Sequence, residues 1–150
     1  ADSDRCNIQQ LLDNDADGGV FGKLRKEMGM AMNDNMAVYR DQQGMETALA
    51  KIAAVRDRYN RVSVPDKGKT FNTSLLFTLE LGFMLDCAQA IVMSGLERKE
   101  SRGAHTRTDM PDRDDENWLK HVLVRYTSDG PQIDHLPVVI TEWQPEIRSY

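Results

Sequence analysis

The chain has 150 residues, of which 40% are hydrophobic and 29% charged, and this balance argues against a disordered or membrane-embedded chain. Its formal net charge of -5 leaves no surplus of lysine and arginine to neutralise phosphates, which argues against nucleic acid as a partner. Largely apolar stretches such as Ser74–Leu79, which is followed by Glu80, are far shorter than the roughly 20 residues that span a bilayer. The sequence predicts a folded domain without membrane insertion.

Residues 1–17 are predicted to be a linker or leader. Ala1–Arg5 has neither the basic start nor the apolar core of a signal peptide, and Asp13–Gly19 combines the short polar side chains and glycines of a loop. The two cysteines, Cys6 and Cys87, form no CxxC motif, which fits a reducing compartment. Cys87 lies on an apolar helical stripe and is expected to be buried.

The polar loop also has the opening pattern of a calcium-binding EF-hand. Alternate oxygen ligands would come from Asp13, Asp15 and Asp17, and Gly18 would make the sharp turn. The twelfth position of such a loop holds a glutamate that binds the ion with both oxygens, and here it is Leu24. We therefore expect a polar linker and no metal ion.

A first helix is predicted from about Val20 to about Asn33, because apolar residues recur there at helical spacing. The apolar face consists of Leu24, Met28, Ala31 and Met32. A methionine-rich face can be an adaptable binding surface, but packing in a core is the more frequent role. We expect this face to lie in the core.

A second helix begins after Asp41, which can cap it, and ends before the turn at Val64–Gly68. Its apolar residues step by three and four positions along one face: Met45, Leu49, Ile52, Val55 and Tyr59.

The third helix is the most apolar, and Asn72 or Thr73 can cap it. We expect it to end near Arg98–Ser101 and to bury a central stripe that includes Leu79 and Phe83. The full stripe is Leu76, Leu79, Phe83, Cys87 and Ile91, with Leu75, Met84, Ala88 and Val92 beside it. Residues 18–108 are thus predicted to form a three-helix bundle with the up-down-up order of a spectrin repeat.

The remaining residues, 109–150, are predicted to be a charged loop followed by a β-hairpin or an extended tail beside the bundle. A β-prone run carries apolar residues at the even positions Trp118, Val122, Val124 and Tyr126, and Ser128–Pro131 has turn chemistry. Pro137 has no backbone donor, so the second strand should be an edge strand or be bulged there.

Motifs for catalysis are missing from the sequence. His105, His121 and His135 lie in different segments without zinc-site spacing. The sequence contains no GxGxxG, GxxxxGK[ST] or GxSxG motif. We therefore assign no catalytic, cofactor-binding or metal-binding residue to this chain.

The segment Arg98–Arg107 is unusual because it carries many cations beyond a helix end. One interpretation is a good helix stop, with Gly103 as a left-handed C-cap. The other is a domain or subunit interface, because these cations have no evident carboxylate beside them. The interface residues of this second interpretation are Arg102, His105, Arg107 and Arg113.

The runs Arg98–His105 and Asp109–Trp118 closely resemble the carboxy-terminal region of succinate dehydrogenase flavoproteins. The resemblance extends upstream through Phe71–Leu81 and Leu24–Met28, and downstream to Ile147–Tyr150. Fumarate reductase and L-aspartate oxidase flavoproteins carry a similar helical domain. The Asp-Arg-Asp-Asp-Glu-Asn-Trp run and the Arg-Ser-Tyr ending favour succinate dehydrogenase.

This resemblance implies a parent enzyme that oxidises succinate to fumarate with FAD and passes electrons to an iron–sulfur subunit and quinone. The implied partners are the FAD-binding domain of the same chain and the iron–sulfur subunit, on the cytoplasmic side of a bacterial inner membrane or the mitochondrial matrix side. The flavin-binding and substrate-binding motifs are missing, so we expect the chain alone to be inactive. An independent helical scaffold protein is the alternative.

Overall fold

The computed structural model of the chain describes residues 2–14 and 18–146. The fold is mainly α-helical with a few short strands, as predicted. The elements in chain order are α1 (Asp2–Asp13), α2 (Phe21–Asn35), β1 (Tyr39–Arg40), α3 (Gln42–Tyr59), α4 (Thr73–Glu97), β2 (Thr106–Arg107), α5 (Asp115–Trp118), β3 (Lys120–Arg125) and β4 (Gln132–Pro137).

Helices α2, α3 and α4 pack against one another as the predicted three-helix bundle. The caps are as expected: the Asp41 side chain accepts a 2.7 Å hydrogen bond from the Gly44 backbone N–H, and Asn72 accepts one of 2.8 Å from Leu75. The buried residues of α2 and α3 lie on the predicted faces: Leu24, Met28, Ala31, Met45, Ala48, Ile52 and Val55.

The face that α4 buries differs from the predicted one. Phe83 is 67% exposed, Leu79 is only partly buried and Cys87 is exposed. The buried residues are Thr78, Leu81, Gly82, Leu85, Ala88, Val92 and Gly95. The predictions that Phe83 and Cys87 lie in the core were therefore wrong.

Two glycines explain this orientation of α4. A Cβ atom on Gly82 would lie 2.6 Å from the Tyr59 hydroxyl, and one on Gly95 would lie 3.1 Å from Met36 and from Met45. The neighbouring side chains therefore occupy the space that a larger residue would fill. Apolar residues occupy most of the circumference of α4, so hydrophobic periodicity does not indicate which face is buried. The glycines indicate it, because only a residue without a side chain lets the neighbouring helices approach so closely.

Among residues 2–14 and 18–146, the 25-residue helix α4 is long and apolar enough to cross a membrane. Glu80 and Asp86 interrupt its apolar runs, so no single uninterrupted run reaches the length of a membrane span. Core helices of bundles pass the same test, and α4 packs against both α2 and α3. The expectation of no membrane insertion stays a prediction.

The start of the chain also differs from the predicted linker, because Asp2–Asp13 forms α1. Leu11 and Leu12 are buried in the core, and Ile8 packs against it. The three side chains share one helical face at i, i+3 and i+4, a pattern too short to stand out beside the polar loop. Of the hypothetical EF-hand ligands, Asp15 and Asp17 lie outside the described residues.

The predicted β-hairpin is present. Strands β3 and β4 pair antiparallel, with Val122 opposite His135 and Val124 opposite Ile133. Pro137 is the last residue of β4 and lies opposite Lys120, consistent with its lack of a backbone donor.

Gly103 has the predicted positive φ of 60°, but it is not the C-cap of α4. That cap is Arg98, in an extended conformation. Gly103 instead lies in a tight turn in which Arg102 and His105 exchange backbone hydrogen bonds of 2.9 and 3.1 Å. The chain after this turn forms β2, which pairs parallel with β1 and places Arg40 beside Arg107.

Candidate docking site at the end of the central helix

The buried carboxylate of Glu100 organises the segment that follows α4. Glu100 is 1% exposed, and Arg102 donates to it from Nε at 2.7 Å and from Nη2 at 2.9 Å. Arg98 and the Asp114 backbone N–H also donate to it. Burial alone would raise the pKa of Glu100, but these hydrogen bonds and the Arg102 charge lower it below its ordinary value.

A second carboxylate, Asp115, extends this network to the charged loop. It accepts from Arg102 Nη2 at 2.6 Å and from Arg113 Nε and Nη2 at 2.8 and 2.6 Å. Hydrogen bonds from Arg113 and Arg102 lower the pKa of Asp115 to about 2. Arg113 also donates to the backbone carbonyl of Glu146.

Arg107 is fully buried. Its guanidinium forms a two-point contact with Asp109, with Nε–Oδ1 at 2.8 Å and Nη2–Oδ2 at 2.7 Å, and it also donates to the Gln42 side chain. Hydrogen bonding to Arg107 holds the pKa of Asp109 well below its usual range. Arg107 is therefore part of the internal architecture.

His105 is partly buried between arginines. Its Nε2 lies 3.4 Å from the Arg98 carbonyl oxygen, and its Nδ1 lies 3.4 Å from Arg40 Nη1. Burial lowers the pKa of His105, although the contact with the Arg98 carbonyl opposes this; the charges of Arg40 and Arg107 lower it further. A neutral ring that donates from Nε2 and accepts at Nδ1 satisfies both contacts.

The structure thus brings the four proposed interface residues into one region, but each has partners within the chain. The premise that these cations lack carboxylates was wrong, because Glu100 and Asp115 both accept hydrogen bonds from Arg102. Glu100 lies only two residues away, a spacing that pairs side chains in a turn but not on a helix. Their role at an interface stays a prediction.

Arg40, which the sequence analysis did not single out, lines a cavity of about 460 Å³ beside His105. Its Nε donates to the Ala37 carbonyl oxygen at 2.8 Å. Burial lowers the pKa of Arg40. Among the described residues, no carboxylate forms an ion pair with it. The described residues that line the cavity include no aspartate or glutamate: Arg40, Ala90, Ile91, Ser94, Gly95, Arg98, His105, His121, Val122 and Val124.

An apolar surface adjoins this cavity along the outer face of α4. Phe83 and Ile91 are 67% and 52% exposed, and Cys87 is exposed between them. Tyr126, just beyond β3, is 86% exposed and lines a second cavity together with Phe83. We call the residues Phe83, Cys87 and Ile91 the outer face. An apolar face of this kind is typical of a surface that another protein surface covers.

Groups that could hold a metal ion were not found among residues 2–14 and 18–146. At two glycines, other parts of the chain occupy the space beside the Cα atom. Gly18 lies against the backbone of Arg58 and Arg61, and Gly82 lies against Tyr59. Neither leaves the open glycine turn on which a dinucleotide phosphate rests.

Comparison with known proteins gives a consistent result. The family model described as the carboxy-terminal region of fumarate reductase flavoproteins matches residues 25–150. The chain is 49% identical over 131 residues to the fumarate reductase flavoprotein subunit of Haemophilus influenzae, covering 87% of this chain and 22% of that protein. It is 37% identical over 136 residues to the succinate dehydrogenase flavoprotein subunit of Rickettsia conorii, covering 89% and 23%.

Among solved structures, Escherichia coli quinol fumarate reductase matches with a TM-score of 0.91 and 36% identity, over 97% of this chain and 25% of that chain. The chain therefore spans about a quarter of the length of these relatives. It belongs to the fumarate reductase and succinate dehydrogenase flavoprotein family, and it corresponds to the carboxy-terminal domain of that family.

Proposed function

We propose that the chain is the non-catalytic carboxy-terminal domain of a succinate dehydrogenase flavoprotein. The whole subunit would oxidise succinate to fumarate with FAD and pass electrons to an iron–sulfur subunit and quinone. The observation that carries the proposed supporting role is the exposed apolar outer face of α4, which suits a domain that packs against a larger body.

The partners that we propose are the FAD-binding domain of the same polypeptide and the iron–sulfur subunit. The hydrogen bonds of Glu100 support this role, because they join Arg102 just beyond the end of α4 to the backbone of Asp114 in the following loop. The complex would lie at the cytoplasmic side of a bacterial inner membrane, or at the matrix side in mitochondria, with this domain peripheral.

Fumarate reduction is the second candidate. The identity to the Haemophilus influenzae fumarate reductase subunit, 49%, exceeds the 37% to the Rickettsia conorii succinate dehydrogenase subunit. The two reactions are the same chemical conversion in opposite directions. The same domain in an L-aspartate oxidase remains a further alternative.

The test is to purify the whole complex that contains this domain and to measure both directions with the same preparation. We expect succinate oxidation with a quinone acceptor to be faster than fumarate reduction with a quinol donor. A complex that mainly reduces fumarate would favour the second candidate. Failure to convert either dicarboxylate would contradict the proposed family reaction.

The non-catalytic role has a separate test. The purified 150-residue chain should neither bind FAD in a one-to-one ratio nor oxidise succinate with a dye acceptor. Stoichiometric FAD binding together with succinate oxidation would contradict this assignment.

A further inference from the structure

We propose that the Arg40 cavity is a docking site for an acidic segment of the flavoprotein that precedes this domain. The segment would place a carboxylate on Arg40 and an apolar side chain against the outer face of α4. This inference rests on the proposed function, because it assumes that the domain is part of a larger flavoprotein. It identifies Arg40, rather than Arg102 or Arg107, as the cation that is available to a partner.

The guanidinium of Arg40 is held in place but is not neutralised. Its Nε is bound to the Ala37 carbonyl oxygen at 2.8 Å, and its Nη1 lies 3.4 Å from Nδ1 of His105. Neither the Ala37 carbonyl group nor the His105 ring carries a negative charge that would neutralise the guanidinium. A partly buried arginine whose partners are neutral gains much from a carboxylate, because that contact is a charge-assisted hydrogen bond.

The surrounding charges make this site selective for an anion. Arg98 also lines the cavity, but it already forms an ion pair with Glu100. His121, on β3, lines the cavity and is exposed. Arg102, Arg107 and Arg113 likewise contact carboxylates within the chain. Arg40 is therefore the arginine lining this cavity for which the described residues supply no carboxylate.

The apolar lining indicates a polypeptide rather than a small anion. Ile91, Val122 and Val124 line the cavity, and Ile91 continues directly into the outer face through Cys87 and Phe83. A phosphate or a free dicarboxylate would leave this apolar surface in water. A polypeptide segment can cover it and supply the carboxylate at the same time, as core and rim residues do in stable interfaces.

The flavoprotein itself is the source that we favour for this segment. The relatives are about four times longer than this chain, so most of their polypeptide lies outside the matched region. A segment of the same polypeptide is held near this domain at a high effective concentration. It can therefore cover the exposed Phe83 and Ile91 side chains at all times, whereas a reversible partner would leave them in water whenever it dissociates.

The experiment uses the whole flavoprotein subunit carrying Arg40→Lys, prepared with and without the iron–sulfur subunit. A carbodiimide joins an amine to a carboxylate in direct contact, and arginine does not react. Mass spectrometry of the variant should reveal a new crosslink from position 40 to an Asp or Glu that precedes this domain in the same polypeptide. The crosslink should form in both preparations and be missing from the wild-type protein.

A second measurement tests the proposal if the lysine side chain at position 40 is too short to reach the carboxylate. Arg40→Gln should lower the melting temperature of the flavoprotein subunit by about 2–4 °C, with partial recovery in Arg40→Lys. The matched control is Arg25→Gln, an exposed arginine of α2, which should melt like the wild type. Unchanged melting of Arg40→Gln together with no crosslink would overturn the proposal.

Two other outcomes would also overturn it. A crosslink that forms only with the iron–sulfur subunit would assign the site to that partner. Stabilisation of the wild-type subunit, but not Arg40→Gln, by phosphate or succinate without any crosslink would assign it to a small anion. The crosslink does not depend on catalysis, so its presence in a protein that converts neither succinate nor fumarate would contradict the proposed reaction while supporting the docking site.

Discussion

Glu100 and Arg102 form a two-point ion pair at the end of the central helix, with N–O distances of 2.7 and 2.9 Å. The carboxylate is 1% exposed and also accepts from the Asp114 backbone N–H at 2.8 Å. This one side chain therefore joins the end of α4 to the loop before α5. Its charge therefore contributes to the stability of this region together with that of Asp115.

Replacing that charge should destabilise the chain. Glu100→Gln leaves the partly buried Arg98 without a counter-charge and leaves Arg102 with Asp115 alone. We expect the free energy of unfolding to fall by about 2–3 kcal/mol. Denaturant titration monitored by circular dichroism measures this change. The control is Glu142→Gln at an exposed position, which should stay within about 0.5 kcal/mol of the wild type. Equal behaviour of the two variants would refute the central role of Glu100.

Arg102→Lys should also destabilise the isolated chain, contrary to the near-neutral effect expected for a solvent-exposed interface arginine. Lysine cannot bridge both oxygens of Glu100 and also contact Asp115, so we expect a loss of about 1–2 kcal/mol in unfolding free energy. Arg25→Lys on α2 provides an exposed control. A change below about 0.5 kcal/mol in Arg102→Lys would indicate that this network contributes little to stability.

Acid should destabilise the charged loop through Asp115. The pKa of this carboxyl is about 2 in the folded chain, against an ordinary value of 3.8. A lowered pKa means that the folded state favours the ionised form, so the stabilisation is present above pH 3.8 and is lost as the pH falls towards 2. Unfolding midpoints measured between pH 5 and pH 2 should fall less steeply in Asp115→Asn than in the wild type. Superimposable curves would contradict this account.

The elements of the bundle were predictable because their signals are local. Asp41 and Asn72 mark helix starts through side chains that cap the following backbone, and the period of three and four residues identifies the core faces of α2 and α3. The turn at Ser128–Pro131 separates two β-prone runs and correctly predicted the hairpin. Each of these features is set by residues that lie close together in the sequence.

The candidate site could not be predicted in the same way because its contacts are not local. Arg40 reaches His105 across 65 residues, through a parallel strand pair of two residues each that has no recognisable sequence pattern. Arg107, in β2, likewise donates to the side chain of Gln42, which lies 65 residues earlier at the start of α3. The orientation of α4 depends on which neighbours fill the space at Gly82 and Gly95, and a nearly all-apolar helix gives no periodic signal for that choice.

The orientation of α4 can be tested with two apolar residues of the same helix. If Phe83 were buried, its truncation to alanine would lower the free energy of unfolding by about 3–5 kcal/mol. At 67% exposure, Phe83→Ala should instead change the unfolding free energy of the isolated chain by less than about 1 kcal/mol. Leu85 is fully buried two residues later, so Leu85→Ala should cost about 2–5 kcal/mol.

The same pair distinguishes a surface that is solvent-exposed from one that another domain covers. In the whole flavoprotein subunit, Phe83→Ala should cost more than in the isolated chain, because a partner would bury the ring and its removal would leave a cavity. Leu85→Ala should cost about the same in both settings, since its neighbours belong to the bundle. Thermal melting of both variants in both proteins measures the difference. An equally small effect of Phe83→Ala in the whole subunit would show that the outer face of α4 stays exposed to solvent there.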